Sequence, residues 1–265
     1  MHPWNRRESP YAGGRTSYVK GHRLRAKPTF LPVCLIGALA GVLVLSSCSA
    51  KALPTVVPTV VASVVVAPTG DGIMRIGTLF PMTGSAAATG AAQVAGSELA
   101  AREITEQGRI LGIPIEIIHR DSAVDAAAAL ANLLARGVDV VLWDATVPMP
   151  GDLAIVVTGA PVALLTLGDF ANGGTPLAAG DAFAARLRTL DPGLVDTAGG
   201  GEAYDGVILS ALAAARAGDD GAASITPAFD QVSTGAVSCA SWGECAAALA
   251  DAQQIAYAGV TGRRS

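Results

Sequence analysis

Residues 73–80 read IMRIGTLF and run into Pro81-Met82-Thr83-Gly84-Ser85, after which residues 86–107 are Ala-rich, with Glu98, Arg102 and Glu106 spaced at four. A short apolar run closed by a turn of this kind reads as a buried strand, and the spaced charges place one wetted face on the helix that follows. The same alternation recurs. Residues 113–119 are a second β-rich run, 124–136 a second Ala/Leu helix stopped by Gly137, and 138–143 a third strand. Residues 152–158 follow as a third helix and 161–166 as a fourth strand. Strands that are continuous apolar runs, separated by amphipathic helices, imply a parallel sheet with helices on both faces, a doubly wound α/β lobe. In such sheets ligands sit at the carboxyl ends of the strands. Those ends open into loops 81–90, 144–150 and 167–176.

The chain has 265 residues, 51% apolar, 15% charged and 5% aromatic, enough to bury an aliphatic core and too apolar for a disordered polymer. A net charge of −4 hides an uneven split. Residues 1–30 hold seven of the 18 basic and one of the 22 acidic residues, so the rest stands near −10. An acidic body offers no clustered Lys and Arg for a phosphate backbone, which argues against nucleic acid as a partner.

The basic residues gather at the front for a reason. Arg23, Arg25 and Lys27 precede the uncharged stretch 30–47, FLPVCLIGALAGVLVLSS, which is a secretory signal pattern. It ends in Leu45-Ser46-Ser47-Cys48, similar to a bacterial lipobox, in which the Cys becomes diacylated and N-terminal. Two acyl chains bury enough CH₂ groups for stable anchoring to a membrane. The alternative is an uncleaved transmembrane helix, since 18 residues sit at the lower limit for spanning a bilayer. Residues 48–71 combine Pro, Thr and Val with hardly any charge and read as a tether. Alternatively, residues 60–66 within it read as a short strand.

Beyond residue 177 the pattern turns helical. Residues 181–190 carry Phe183, Leu187 and Leu190 on one stripe and close at Asp191-Pro192-Gly193. Residues 202–217, led by Tyr204 and Asp205, and 219–229 read as two more helices. From 232 the chain holds a short strand, a Cys239 to Cys245 segment, a brief helix to Asp251, and a Tyr257-Ala258-Gly259-Val260-Thr261-Gly262 tail.

Groups able to do chemistry are few. His119 is the one His beyond the tether, and the chain has no HExxH, GxSxG or Walker sequence, so hydrolase and NTPase readings fail and no cofactor is implied. His119, Asp121 and Asp125 are close in sequence, but carboxylates at a helix start are ordinarily caps, so no metal site is assigned. The Gly84 to Gly90 loop opens a helix whose free N–H groups suit a carboxylate or phosphate, the alternative being a plain cap by Ser85. Cys239 and Cys245 form an even pair in an exported body and read as a disulfide. Trp143 and Asp144 at a strand end suggest a ligand platform or a simple core position.

Together, residues 76–104 (IGTLFPMTGSAAATGAAQVAGSELAAREI), 111–122 (LGIPIEIIHRDS), 137–147 (GVDVVLWDATV) and the lipobox resemble bacterial extracellular solute-binding proteins of the branched-chain amino acid binding family of ABC transporters. The later stretches FAARLRTLDPGL and EAYDGVILSALAAARAG are similar to that family's returning helices, and CASWGECAAALADAQQIAYAGVTG to its terminal Cys-paired segment. The resemblance implies the periplasmic-binding-protein type I fold, two α/β lobes that close on an amino acid or related small molecule. It assigns ligand contacts to Thr83, Gly84 and Ser85 in the first loop, Ala145 and Thr146 in the second, and Thr166 near the third. The partners it implies are a small-molecule ligand and an ABC permease. Where the family has a Gly-Pro-like step before a Ser pair, this chain has Trp143, Asp144, Thr146 and Val147. Between Pro176 and Asp181 it passes almost directly to the late crossover helix, so a truncated second lobe is expected. The expected organisation is a signal peptide at 1–47, a lipid-anchored tether at 48–71, lobe one at 72–177, and crossover helices with a remnant second lobe at 178–265. The expected role is solute binding without catalysis, the alternative being a non-transport surface lipoprotein with no small ligand.

Overall fold

The sheet is built on its two central strands, which are buried almost throughout. In the computed structural model, which describes residues 67–108, 110, 112, 114–170 and 180–264, strands β1 (Met74–Phe80), β2 (Ile115–Asp121), β3 (Val140–Trp143) and β4 (Ala163–Thr166) form one sheet in the order β2-β1-β3-β4. Every pairing in it is parallel. The signal stretch, Cys48 and residues 49–66 lie outside the described residues, as do 171–179 and with them the expected lobe boundary.

Residues of β1 alternate between two cores. Met74, Ile76 and Phe80 point to one side, where they join Val140, Leu142 and Leu165 under helices α1 (Ala87–Glu106) and α5 (Gly200–Ala217). Leu79 points to the other side and meets Leu130 and Leu133 of α2 (Ser122–Ala135) and Leu153 and Val157 of α3 (Gly151–Thr158). Gly77 shares that side, and a Cβ there would stand 2.9 Å from a Leu133 methyl, so α2 lies directly on the strand. Helices cover both faces of a parallel sheet, as the sequence pattern implied.

Helix α5 is the axis of the body: its residues from Gly200 to Ala214 are all buried. It meets α1 at glycines, since a Cβ on Gly96 would lie 2.0 Å from the Gly200 carbonyl oxygen. Above that contact Glu103 of α1 accepts a 2.6 Å hydrogen bond from the Tyr204 hydroxyl and pairs with Arg186 of α4 (Asp181–Leu190). The Arg186 guanidinium in turn lies over the Phe183 and Tyr204 rings, at 5.2 and 5.3 Å.

Two helices start where their first carboxylates allow rather than where periodicity begins. Helix α2 opens at Ser122, two residues early, because Asp121 accepts from the Ala123 amide as its cap. Helix α6 (Ala222–Ser233) opens three residues later than periodicity suggests. Asp219 and Asp220 are held back to bind the incoming chain. Asp219 accepts from the Thr69 and Gly70 amides at 3.1 and 3.0 Å and from the Ser224 hydroxyl at 2.6 Å, and Asp220 accepts from the Gly72 amide at 3.0 Å. Burial pushes the Asp219 carboxyl up, but these donors, Ser224 foremost, hold it below the usual range. The last residues of the expected tether are thus fixed to the body.

A second, two-stranded sheet pairs β5 (Val237–Cys239) with β6 (Ile255–Tyr257) in parallel. Helix α7 (Trp242–Ala250) connects them, making a small βαβ unit, and the Cys239–Cys245 disulfide ties β5 to α7. Strand β6 falls in what the sequence presents as a tail. Asp205 of α5 explains its order: this buried carboxylate accepts from the Tyr257 hydroxyl at 2.7 Å, from the Val260 and Thr261 amides at 3.0 and 2.8 Å, and from the Thr261 hydroxyl. Burial raises its pKa and the four donors act against that rise. Cys239, Trp242, Ile255 and Tyr257 belong to the same continuous core as Ile76 and Val140. Among the described residues no helix is long and apolar enough to cross a membrane.

Candidate functional site

The chain leaves β1 for β2 on one side and returns to β3 on the other, so the loops following β1 and β3 diverge at this switch point and leave a crevice between them. Its volume is about 490 Å³, and Thr83, Gly84, Ser85, Ser122, Asp144 and Thr146 are among its lining residues.

The first loop is stapled from beneath. The Thr83 hydroxyl donates to Asp121 at 2.5 Å and the Met82 amide donates to the other oxygen of the same carboxylate at 2.9 Å. Together with the Ala123 amide, these donors hold the Asp121 carboxyl below its usual range, Thr83 contributing most. Thr83 is therefore spent on positioning. Gly84 has φ +75°, a left-handed conformation that favours glycine. Neither the short 3-10 turn Gly84–Ala86 nor α1 receives a side-chain cap, so the cap reading of Ser85 is replaced by an exposed Ser85 beside uncapped helix amides.

The second loop is held from the core. Trp143 is 2% exposed, packs with Leu79 and Leu133, and donates from its indole N–H to the Val147 carbonyl at 2.7 Å. It is a core residue that latches the loop. Asp144, also 2% exposed, accepts from Gln93 Nε2 at 2.8 Å, from the Thr146 amide at 3.0 Å and from the Thr146 hydroxyl. A buried carboxylate needs such donors. Gln93, fully buried on α1, is the one reaching it from another element.

A second crevice of about 360 Å³ lies beside the first, with Ala145, Thr146, Thr166 and Asp169 in its lining. The expected ligand residues thus fall into two groups, Thr83, Gly84 and Ser85 in one crevice and Ala145 and Thr166 in the other. Thr146 lines both. Ala145 is 1% exposed, its methyl being part of the core.

His119 is a clamp between elements. Its Nδ1 lies 2.7 Å from the Thr78 hydroxyl and its Nε2 3.0 Å from Glu98 on α1. Asp125 accepts from the Ala128 amide within α2, whereas Asp121 both caps α2 and holds the first loop. Among the described residues no group of three or more His, Cys, Asp and Glu side chains is placed to hold a metal ion. Sequence reasoning passes over Ser122 and Gln93. Ser122 directly follows a strand end, which was a usable signal, whereas Gln93 lies within an Ala-rich helix and had none.

Residues 74–146 match the model of a periplasmic binding protein family. The matched segment runs from the first residue of β1 to Thr146, and so takes in the first loop of the larger crevice and the second as far as Thr146. No curated protein matches the chain. Among solved structures the chain is similar to the branched-chain amino acid transporter substrate-binding protein LivJ from Streptococcus pneumoniae, in complex with isoleucine. The two are 17% identical with a TM-score of 0.51, over 72% of this chain and 91% of that one. A putative branched-chain amino acid ABC transporter from Silicibacter pomeroyi aligns at 24% identity over 46% of this chain and 29% of that chain, with a TM-score of 0.34. An extracellular ligand-binding receptor from Verminephrobacter eiseniae aligns at 16% identity over 55% and 54%, with a TM-score of 0.31. The likeness to the Streptococcus protein is one of fold: a parallel α/β sheet similar to the type I periplasmic binding protein.

Replacing Asp144 with Ala strands the buried Gln93 amide and frees the Thr146 hydroxyl. Asp144→Ala is expected to lower unfolding stability by about 2 kcal/mol in urea titration, the cost of leaving a buried donor unmet. A change below about 0.5 kcal/mol, the level of an inert surface substitution, would show that Asp144 does not hold the loop.

Proposed function

We propose that this protein is an extracytoplasmic solute-binding lipoprotein of an ABC-type import system, anchored through Cys48, which takes an amino acid or similar small polar molecule into the crevice between the β1 and β3 loops. The observation that carries this reading is that the matched segment 74–146 holds the first loop of that crevice and the second as far as Thr146. The polar groups there suit such a ligand. The Ser85 and Ser122 hydroxyls and the amides of the Gly84–Ala86 turn, which no side chain caps, favour a carboxylate, because the first turn of a helix presents free N–H groups and positive potential. Thr146 and Thr83 are held in place by Asp144 and Asp121. The role is binding rather than catalysis.

We read the β5–α7–β6 unit as the remnant of a second lobe. It shares one core with the four-stranded sheet. A ligand in the crevice then meets one wall, whereas good pockets bury some 70–90% of a small molecule. That shared core favours a second reading, a surface lipoprotein that works through a protein partner and holds no small ligand.

Thermal unfolding of the full chain with isoleucine, leucine, valine, polar amino acids and small organic acids separates the two. Solute binding predicts a concentration-dependent rise in stability for at least one of them, about 2.7 kcal/mol at 100 times its Kd. No shift with any of them overturns solute binding in favour of the second reading. For the anchor, Cys48→Ala is expected to move the protein from the membrane fraction to the soluble fraction of expressing cells. Unchanged membrane recovery would refute lipidation at Cys48.

A further inference from the structure

Among the described residues the four-stranded sheet has two edges, β4 and β2. Strand β2 is the longer, seven residues against four, and none of its residues is fully buried. Its inner side is paired with β1 from the Pro114 carbonyl onward, which accepts from the Met74 amide at 3.1 Å. Backbone groups point alternately to either side of a strand, so Glu116, Ile118 and Arg120 bond towards β1, while Ile115, Ile117, His119 and Asp121 turn their N–H and C=O groups away from the sheet. One of these outward groups shows the direction plainly. Arg120 bends over the edge and donates from its guanidinium to the His119 carbonyl at 2.6 Å, and it donates to Asn132 of α2 at 2.6 Å as well. A row of outward backbone groups is a template for another strand unless it is covered.

The side chains of β2 say which strand fits. Ile118 is the middle residue of β2, and Glu116 and Arg120 stand two places to either side of it on the face covered by α2. When a second β2 is turned by half a revolution about Ile118 and laid alongside, Ile118 meets its own copy, Glu116 meets Arg120, and Arg120 meets Glu116. In the same register Ile117 faces His119. Both are outward-facing, so they exchange N–H···O bonds, and the Glu116 and Arg120 pairs take the closer, non-hydrogen-bonded positions. Registers centred on Glu116 or on Arg120 would set like charges face to face, and those centred on Ile117 or His119 would set Glu116 or Arg120 against Ile118. Glu116 is available for such a pairing: its side chain is 52% exposed, and within the chain it meets Arg75 at 3.5 Å. The helix above leaves room, since Ala127, Ala128, Ala131 and Ala135 are exposed residues of α2 and all are small.

We propose that two copies of this chain pair through β2, antiparallel about Ile118, so that two four-stranded sheets become one continuous sheet and Glu116 of each copy binds Arg120 of the other. Each copy contributes the same patch, as a two-fold contact requires. On pairing, the His119 carbonyl exchanges the guanidinium of its own Arg120 for the Ile117 amide of the other copy, and the guanidinium turns to Glu116. A single chain therefore covers its own edge with the group that the pair uses as its ionic contact. The crevice between the β1 and β3 loops lies at the carboxyl ends of the strands, so the two crevices open at opposite ends of the paired sheet and both stay accessible.

Cross-linking of the full chain carrying Ile118→Cys tests this. Facing residues at non-hydrogen-bonded positions of an antiparallel pair have Cα atoms about 4.5 Å apart, within the range that a disulfide bridges. After mild oxidation of expressing cells, Ile118→Cys is expected to give at least fivefold more covalent dimer than the unsubstituted chain or Glu116→Cys, whose sulfurs would stand about 13 Å out of register. In the Ile118→Cys background, Glu116→Arg should lower the yield at least fivefold, and adding Arg120→Glu should restore it. A chain with both Glu116→Cys and Arg120→Cys sets sulfurs opposite one another in the same register and gives the same reading should Ile118→Cys fail to fold. Dimer no more abundant than in the unsubstituted chain would overturn the proposal. So would equal dimer from Glu116→Cys alone, which would signal chance collision, or a loss with Glu116→Arg that Arg120→Glu does not repair.

Discussion

Helices α1 and α5 meet backbone to backbone, with Gly96 against the Gly200 carbonyl and no room for a methyl between them. Everything around the body is arranged on that crossing. On one side α1 rests on the four-stranded sheet and places the β1 loop. On the other, α5 carries Asp205, whose carboxylate gathers Tyr257, Val260 and Thr261 and thereby fixes β6. A bulkier residue at either glycine would separate the helices and loosen the Glu103 junction with Tyr204 and Arg186 at the same time. Because α5 is buried over most of its length, the small sheet and the large sheet are packed as one core.

That packing bears on function. Two lobes that close on a ligand need independent cores and a hinge between them. Here the crevice at the β1/β3 switch point has a firm wall, its loops held by Asp121, Trp143 and Asp144. The β5–α7–β6 unit is bound into the same core by the Asp205 network. Under the proposed function such a site is pre-formed and one-sided, and its affinity rests on Ser85, Ser122 and the amides of the Gly84–Ala86 turn, with little gained from closure.

The parallel sheet was legible because β1, β3 and β4 are mostly apolar runs separated by helical stretches, whereas β2, with Glu116, His119 and Arg120, is a mixed run. The disulfide was legible from an even pair of cysteines beyond an expected export signal. Strand β6 was not, since Ile255, Ala256 and Tyr257 are only three residues long and gain their order from Asp205, 52 positions from Tyr257. The start of α6 was misplaced for a similar reason: Asp219 and Asp220 look like the first turn of a helix, yet their carboxylates serve Thr69, Gly70 and Gly72. At the site, the loops were legible and the supports were not. Gln93 is one polar residue in a run of alanines, and its part emerges only when α1 is laid beside Asp144.

Scanning calorimetry of the oxidised chain tests the shared core most directly. With both sheets built on α5, the body is expected to unfold in a single transition whose calorimetric and van't Hoff enthalpies agree. Two resolved transitions, one carrying the β5–α7–β6 unit alone, would contradict it.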